Sequence, residues 1–173
     1  MRISDVLVEG FGRIKEVVHE AVDGLSAQEL SRQVPEGANT VGWLVWHLTR
    51  VQDDHVSELA GREQAWVEDG WAERFGLSLD IADTGYGHTA EQMASVRVAS
   101  AGDLLGYYDA VHGRSLGYLA TIGEDDLDRV VDKGWDPPVT LGVRLISVLA
   151  DDLQHAGQAA FVRGSLRGSE GAG

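Results

Sequence analysis

Two histidines and an aspartate are placed in this sequence so that they could do chemistry together. Asp151 and His155 are four residues apart in LGVRLISVLADDLQHAGQAAFVRG, a stretch that reads as helix. Positions i and i+4 stack on one helix face, and Arg144, Val148 and Gln158 continue the same stripe. His47 lies between Leu44 and Leu48 in a second helical stretch, VGWLVWHLTRVQDDHVSELA, with Val51 and Asp54 one and two turns further on. If those two helices pack together, His47, Asp151 and His155 can converge between them. Two imidazoles and one carboxylate are a standard set for zinc or another divalent cation, with a position left open for water or substrate. The same residues also admit a plainer reading. An isolated histidine on an amphipathic helix is commonly a hydrogen-bonded structural residue, and an Asp–His pair at i, i+4 stabilises a helix by itself. Residue type and spacing leave both readings open.

Other side chains offer secondary roles. Arg144 could hold a substrate carboxylate with its planar fork of donors, or pair with Asp151 or another buried acid. Tyr86 and His88, in the glycine-rich TGYGHT, could line a pocket or simply form a turn before a helix cap. Tyr107, Tyr108 and His112 are candidate pocket walls or core residues. Trp43 and Trp46 flank His47 and are expected to pack against neighbouring helices, whereas His19 and His55 read as surface residues. The acidic run GEDDLDRVVD reads as a solvated connection.

The elements that must position these groups are helices. The first is expected from about Ser4 to Val22, where Leu7, Phe11, Ile14, Val18 and Val22 share a stripe that Gly24 ends. The second follows PEGANT, with Asn39 or Thr40 as N-cap and Gly61 as the terminating glycine. The segment 62–88 reads as irregular, and its Trp66, Trp71 and Phe75 suggest a lid or binding loop folded over the body. Thr89 with Gln92 is a capping-box pattern for a short helix, and Ser100 with Asp103 opens the third main helix. Pro137 and Pro138 exclude a helix through the next connection. Thr140 then caps the fourth helix, expected to stop at Gly164 before a disordered tail, 165–173. No strand of convincing alternation and no repeat is evident. The expected fold is an all-α four-helix bundle, one domain over 1–164, with a long connection between the second and third main helices and with sites built from inward-facing side chains.

Composition narrows the chemistry. The chain has 173 residues, 28 Asp and Glu against 14 Lys and Arg, and a net charge of −14. Such a balance argues against nucleic acid and anionic membranes as partners. Cysteine is absent, which removes disulfides, iron–sulfur clusters and a catalytic thiol, so any thiol chemistry must use the thiol of a co-substrate. The N-terminus lacks the apolar core of a signal peptide and no stretch approaches a membrane span, so a cytoplasmic protein is expected. Lys15 and Lys133 are the only lysines beside abundant Arg, Gly and Ala, a bias of GC-rich coding.

NTVGWLVWHLTRVQDDH and DDLQHAGQAAFVRG together resemble the DinB-like (damage-inducible, metal-binding four-helix-bundle) superfamily, and within it an actinobacterial branch of unknown function related to mycothiol-dependent enzymes. The first helix, the long connection and DPPVT fit as well, so the resemblance spans nearly the whole chain. It implies a divalent metal held by one histidine of the second helix and an H-x-x-x-H pair of the last. His47 and His155 match those positions, and Asp151 stands where many members have the other histidine. Zinc or nickel is the implied metal, with manganese or iron made possible by the harder carboxylate. Asp152 or Asp54 could add a ligand or orient an imidazole. The resemblance further implies a low-molecular-weight thiol (mycothiol, bacillithiol or glutathione) used in S-transfer or isomerisation, with an electrophilic small molecule under the 62–88 loop and a possible homodimer. Gln158, Arg144, Tyr86 and His88 are the candidate substrate contacts. Alternatives are a metal- or small-molecule-binding stress or detoxification protein without turnover, and a metal-assisted hydrolase with Asp54 as base.

Overall fold

A computed structural model describes residues 1–34 and 36–170. Four long helices form the bundle: α1 (Ile3–Val22), α3 (Val41–Ala60), α7 (Ala101–Leu119) and α8 (Leu141–Glu170). Short helices α2 (Ala27–Leu30), α4 (Ala65–Glu68), α5 (Trp71–Phe75) and α6 (Ala90–Ser95) lie in the connections. α1 and α3 each pack against both α7 and α8 and touch one another only weakly, so they sit diagonally across the bundle. The expected all-α four-helix bundle is the observed one.

Local signals account for the helix ends. Thr40 Oγ1 accepts from the Trp43 backbone N–H at 3.1 Å, and Gly61 closes α3 at φ +64°, a left-handed conformation that glycine takes without a Cβ penalty. Ser100 caps α7 and the Thr89–Gln92 box caps α6, as their spacing predicts. The α1 stripe Leu7, Phe11, Ile14, Val18 and Val22 is buried as read. α3 departs from simple amphipathicity. From Val41 to Arg50 it is buried on every side, because the 62–89 connection covers the face that the other helices leave.

That connection is not structureless. Trp66, 4% exposed, packs edge-on to Trp46 at 6.4 Å and to Phe75 at 5.3 Å, and lies 5.1 Å from Tyr107. Trp66 therefore belongs to the core, and the half-buried Trp71 and Phe75 pack against it. A buried polar clasp holds the segment down. Asp53 accepts from the backbone N–H groups of Ala65 and Trp66 and from the Tyr107 hydroxyl at 2.8–3.0 Å. Arg50, fully buried, donates to Gln64 and to the carbonyls of Asp83 and Ile81.

Two expectations are corrected. The proline-bearing connection forms a small antiparallel pair, β1 (Val130–Asp132) with β2 (Val139–Thr140). α8 does not stop at Gly164. Val162 and Leu166, four residues apart and both buried, carry the packing face past the glycine, and the helix reaches Glu170. The expected tail is thus helical as far as 170, and 171–173 lie outside the described residues.

Candidate metal centre

α3 and α8 pack side by side, and their contact brings His47 against Asp151 and His155. One ligand-capable atom from each of the three lies within 4.8 Å of the others. The rings of His47 and His155 meet edge-to-face at 4.7 Å, and His155 Nε2 is 3.6 Å from Asp151 Oδ1. Ligands on a tetrahedral zinc stand about 3.4 Å apart, from bonds of about 2.1 Å, so a small contraction closes the set.

The outward nitrogens of both rings are already engaged. His47 Nδ1 donates to the Thr84 carbonyl at 2.5 Å. A carbonyl can only accept, so the proton sits on Nδ1 and Nε2 keeps its lone pair. His155 Nδ1 lies 3.2 Å from Gln158 Oε1, which fixes the same tautomer there. This is the arrangement that orients imidazole ligands and raises their basicity. Asp151 Oδ2 is buried and has no hydrogen-bond partner. A buried carboxylate oxygen without a partner, beside two imidazoles whose other nitrogens are engaged, is what a divalent cation would satisfy, so the residues present fit a metal.

Burial holds the His47 imidazole below its ordinary pKa, partly offset by the bond to Thr84. Asp151 raises His155 through hydrogen bonding and charge, against burial. Burial pushes the Asp151 carboxyl up, but the hydrogen bond and charge of His155, with His47 and His55 beyond, outweigh it and hold the group below the usual carboxylate range.

Trp43 stacks on His47 at 4.7 Å, with an interplanar angle of 12°. Thr84 reaches His47 because the next residue, Gly85 (φ +86°), leaves no room for a side chain. A Cβ there would lie 2.9 Å from both His47 Nδ1 and Trp46 Cζ3. Beside the three residues opens a cavity of about 300 Å³, lined in part by His47, Asp54, His55, Tyr86 and Asp151.

The remaining candidates divide. Tyr86, 91% exposed, stands at this cavity as a pocket residue would. His88 does not serve the cavity. Its Nδ1 accepts from Trp43 Nε1 at 3.1 Å and its Nε2 donates to Asp83 at 3.0 Å, so both nitrogens pin the loop. Gln158 bonds His155 and so acts on the ring. Arg144 pairs with an acid, but with Asp132 of β1 at 2.9 Å and not with Asp151, while its other Nη donates to His55 Nδ1 at 3.0 Å. Asp54 lines the cavity with one oxygen bonded to Gln64. Asp152 is no ligand. It faces the core, fully buried, with both oxygens unpaired, and burial together with the Asp151 charge drives its carboxyl well up. Tyr107 and Tyr108 are core residues, and His112 is buried beside Tyr108.

Sequence reasoning missed Thr84 and His55. The TGYGHT glycines signal a tight turn but not which carbonyl it aims. His55 has an accepting Nδ1 and hence an Nε2–H, and it is half-buried at the cavity instead of on open surface. Arg50 and Asp53, which anchor the covering loop, carry no signal beyond charge within an apolar stretch.

Comparison with known proteins gives one family. The mycothiol-S-transferase family model matches residues 6–168, and that family is DinB-like. A crystal structure of a conserved protein from Enterococcus faecalis superposes with a TM-score of 0.90 at 33% identity, over 97% of this chain and 99% of that one. No curated protein matches.

Proposed function

The chain belongs to the mycothiol-S-transferase family, and on that premise we propose that it is a divalent-metal-dependent S-transferase. Its co-substrate is a low-molecular-weight thiol, mycothiol by preference, and its acceptor is an electrophilic small molecule. One observation carries the reading. His47, Asp151 and His155 converge at a cavity, with both imidazoles oriented from behind, in a chain that has no cysteine of its own.

When bound there, a divalent cation supplies the Lewis acidity that keeps a coordinating thiol sulfur deprotonated at neutral pH. The chain's own residues do the rest. His47 and His155 present Nε2 lone pairs held in place by Thr84 and Gln158. Asp151 contributes negative charge and one free oxygen. His55 offers an Nε2–H donor to the polar part of a ligand, and Tyr86 stands ready to cover it. Zinc or nickel suits the donor set first, and the carboxylate admits manganese or iron. A cytoplasmic homodimer completes the proposal. Among the described residues no helix is long and apolar enough to cross a membrane.

Elemental analysis of protein purified without a metal-affinity tag should find near-stoichiometric divalent metal, lost in His155→Ala. Metal retained by that variant would count against the site. A thiol panel with monochlorobimane as acceptor should then show metal- and thiol-dependent turnover. A metal-loaded protein inert across the panel would favour binding without turnover.

A further inference from the structure

The centre adjoins a second concavity that differs in chemistry from the first. A groove of about 470 Å³ runs between the N-terminal end of α3 and the C-terminal half of α8. Leu44, Phe161 and Val162 give it apolar walls, and Asn39, Gln154 and Gln158 add amides. No charged residue is among those that line it, on a chain whose net charge is −14. The cavity on the other side has Asp54, His55 and Asp151 in its lining. Gln158 links the two, because it borders the groove and holds His155 Nδ1 at 3.2 Å. Leu44, one turn before His47, borders the groove too, so it ends against the two helical turns that carry the histidines. Phe161 is 68% exposed at its edge, a large aromatic with its face free. The volume lies within the range of small-molecule pockets, in which a few polar groups orient a ligand along apolar walls.

We propose that this groove binds the electrophilic co-substrate, and that the co-substrate is an uncharged, largely apolar small molecule positioned by the three amides; the proposal rests on the transferase reading above. The charge distribution selects the class. An anionic acceptor would find no cationic side chain among those that line the groove. A cationic one would find no carboxylate there. The polar thiol is left the cavity with the carboxylates, His55 and Tyr86.

Gly157 provides the test. It is exposed, lies in helical backbone and borders the groove, and an added Cβ would meet nothing within 4 Å, so Gly157→Leu fills the groove without strain. Binding of the neutral fluorophore N-phenyl-1-naphthylamine is read by fluorescence, with metal content and helicity measured alongside. Wild type should bind saturably. Gly157→Leu should bind at least tenfold more weakly and Phe161→Ala about threefold more weakly, with metal content unchanged. Ile146→Ser, on the exposed face of α8 away from the groove, should bind as wild type does. Equal binding by wild type and Gly157→Leu, or an equal loss in Ile146→Ser, overturns the assignment. In turnover, Gly157→Leu should raise KM for a neutral electrophile about tenfold and leave KM for the thiol unchanged. An unchanged electrophile KM, or a rise in the thiol KM instead, overturns the groove proposal alone. No turnover in wild type overturns the transferase reading.

Discussion

Gly85→Ala tests whether the loop carbonyl at Thr84 truly orients His47. Gly85 has φ +86°, in the left-handed region, where a side chain costs about 1–2 kcal/mol. The new Cβ would also lie 2.9 Å from His47 Nδ1 and 2.9 Å from Trp46 Cζ3. Trp46 is 1% exposed and its ring has nowhere to go. Overpacking of this kind adds about 1–3 kcal/mol. Together these weaken docking of the turn by about 2–5 kcal/mol and draw Thr84 away from His47, while the four long helices, which pack on one another, stay folded. Loss of the group that orients a metal-binding histidine lowers affinity about 10–100-fold, or about 1.4–2.8 kcal/mol. Zinc affinity measured at pH 7 by competition with a chromogenic chelator reads this directly. Gly87→Ala is the control. Gly87 also has positive φ (+73°), but its Cβ would meet nothing within 4 Å, so only the backbone cost applies and affinity should change little. If folded Gly85→Ala binds zinc within twofold of wild type, Thr84 does not orient His47 and the account of the centre is wrong.

Three further outcomes follow from the buried polar groups. Asp53→Ala removes the acceptor of two backbone N–H groups and the Tyr107 hydroxyl and leaves Arg50 buried, so denaturant unfolding should show a loss of about 3–5 kcal/mol. Asp152→Asn exchanges a fully buried, unpaired carboxyl for a neutral isostere. Stability at pH 7 should rise by about 1 kcal/mol or more, seen as about 2–4 °C in Tm, and a drop would mean that Asp152 has a partner in solution. Burial, aided by the Lys15 charge, lowers His112 to about 4 from an ordinary 6.5. The folded state keeps it neutral while the unfolded state takes up the proton first, so its contribution is complete above pH 6.5 and is lost as pH falls toward 4. The loss amounts to about 2–3 kcal/mol once partial solvation is allowed for. Unfolding midpoints compared at pH 7 and pH 4.5 should therefore fall more steeply in wild type than in His112→Gln; parallel falls would refute the assignment.

The sequence by itself determined what depends on neighbours within a few residues. Apolar spacing specified the four long helices. Thr40, Gly61 and Ser100 marked ends of α3 and α7, and Thr89 the start of the short α6, through caps that are local hydrogen bonds. The i, i+4 spacing put Asp151 and His155 on one face, since a helix fixes that relation without help. The position of His47 on a second helical stretch made it their candidate counterpart, and the resemblance to the DinB-like superfamily supported that set. Tertiary structure decided the rest, because it depends on which surfaces meet. Asp151 and Asp152 are adjacent in the chain and about 100° apart on the helix, so only the placement of α8 between α1 and α3 could send one to the centre and the other into the core. The same packing gave Arg144 to Asp132 and His55, and it carried α8 beyond Gly164 by burying Leu166. Two residues 37 apart in sequence, His47 and Thr84, meet because Arg50 and Asp53 clasp the covering segment to α3. No local pattern encodes such a contact, which exists only once long-range burial has closed the loop over the bundle.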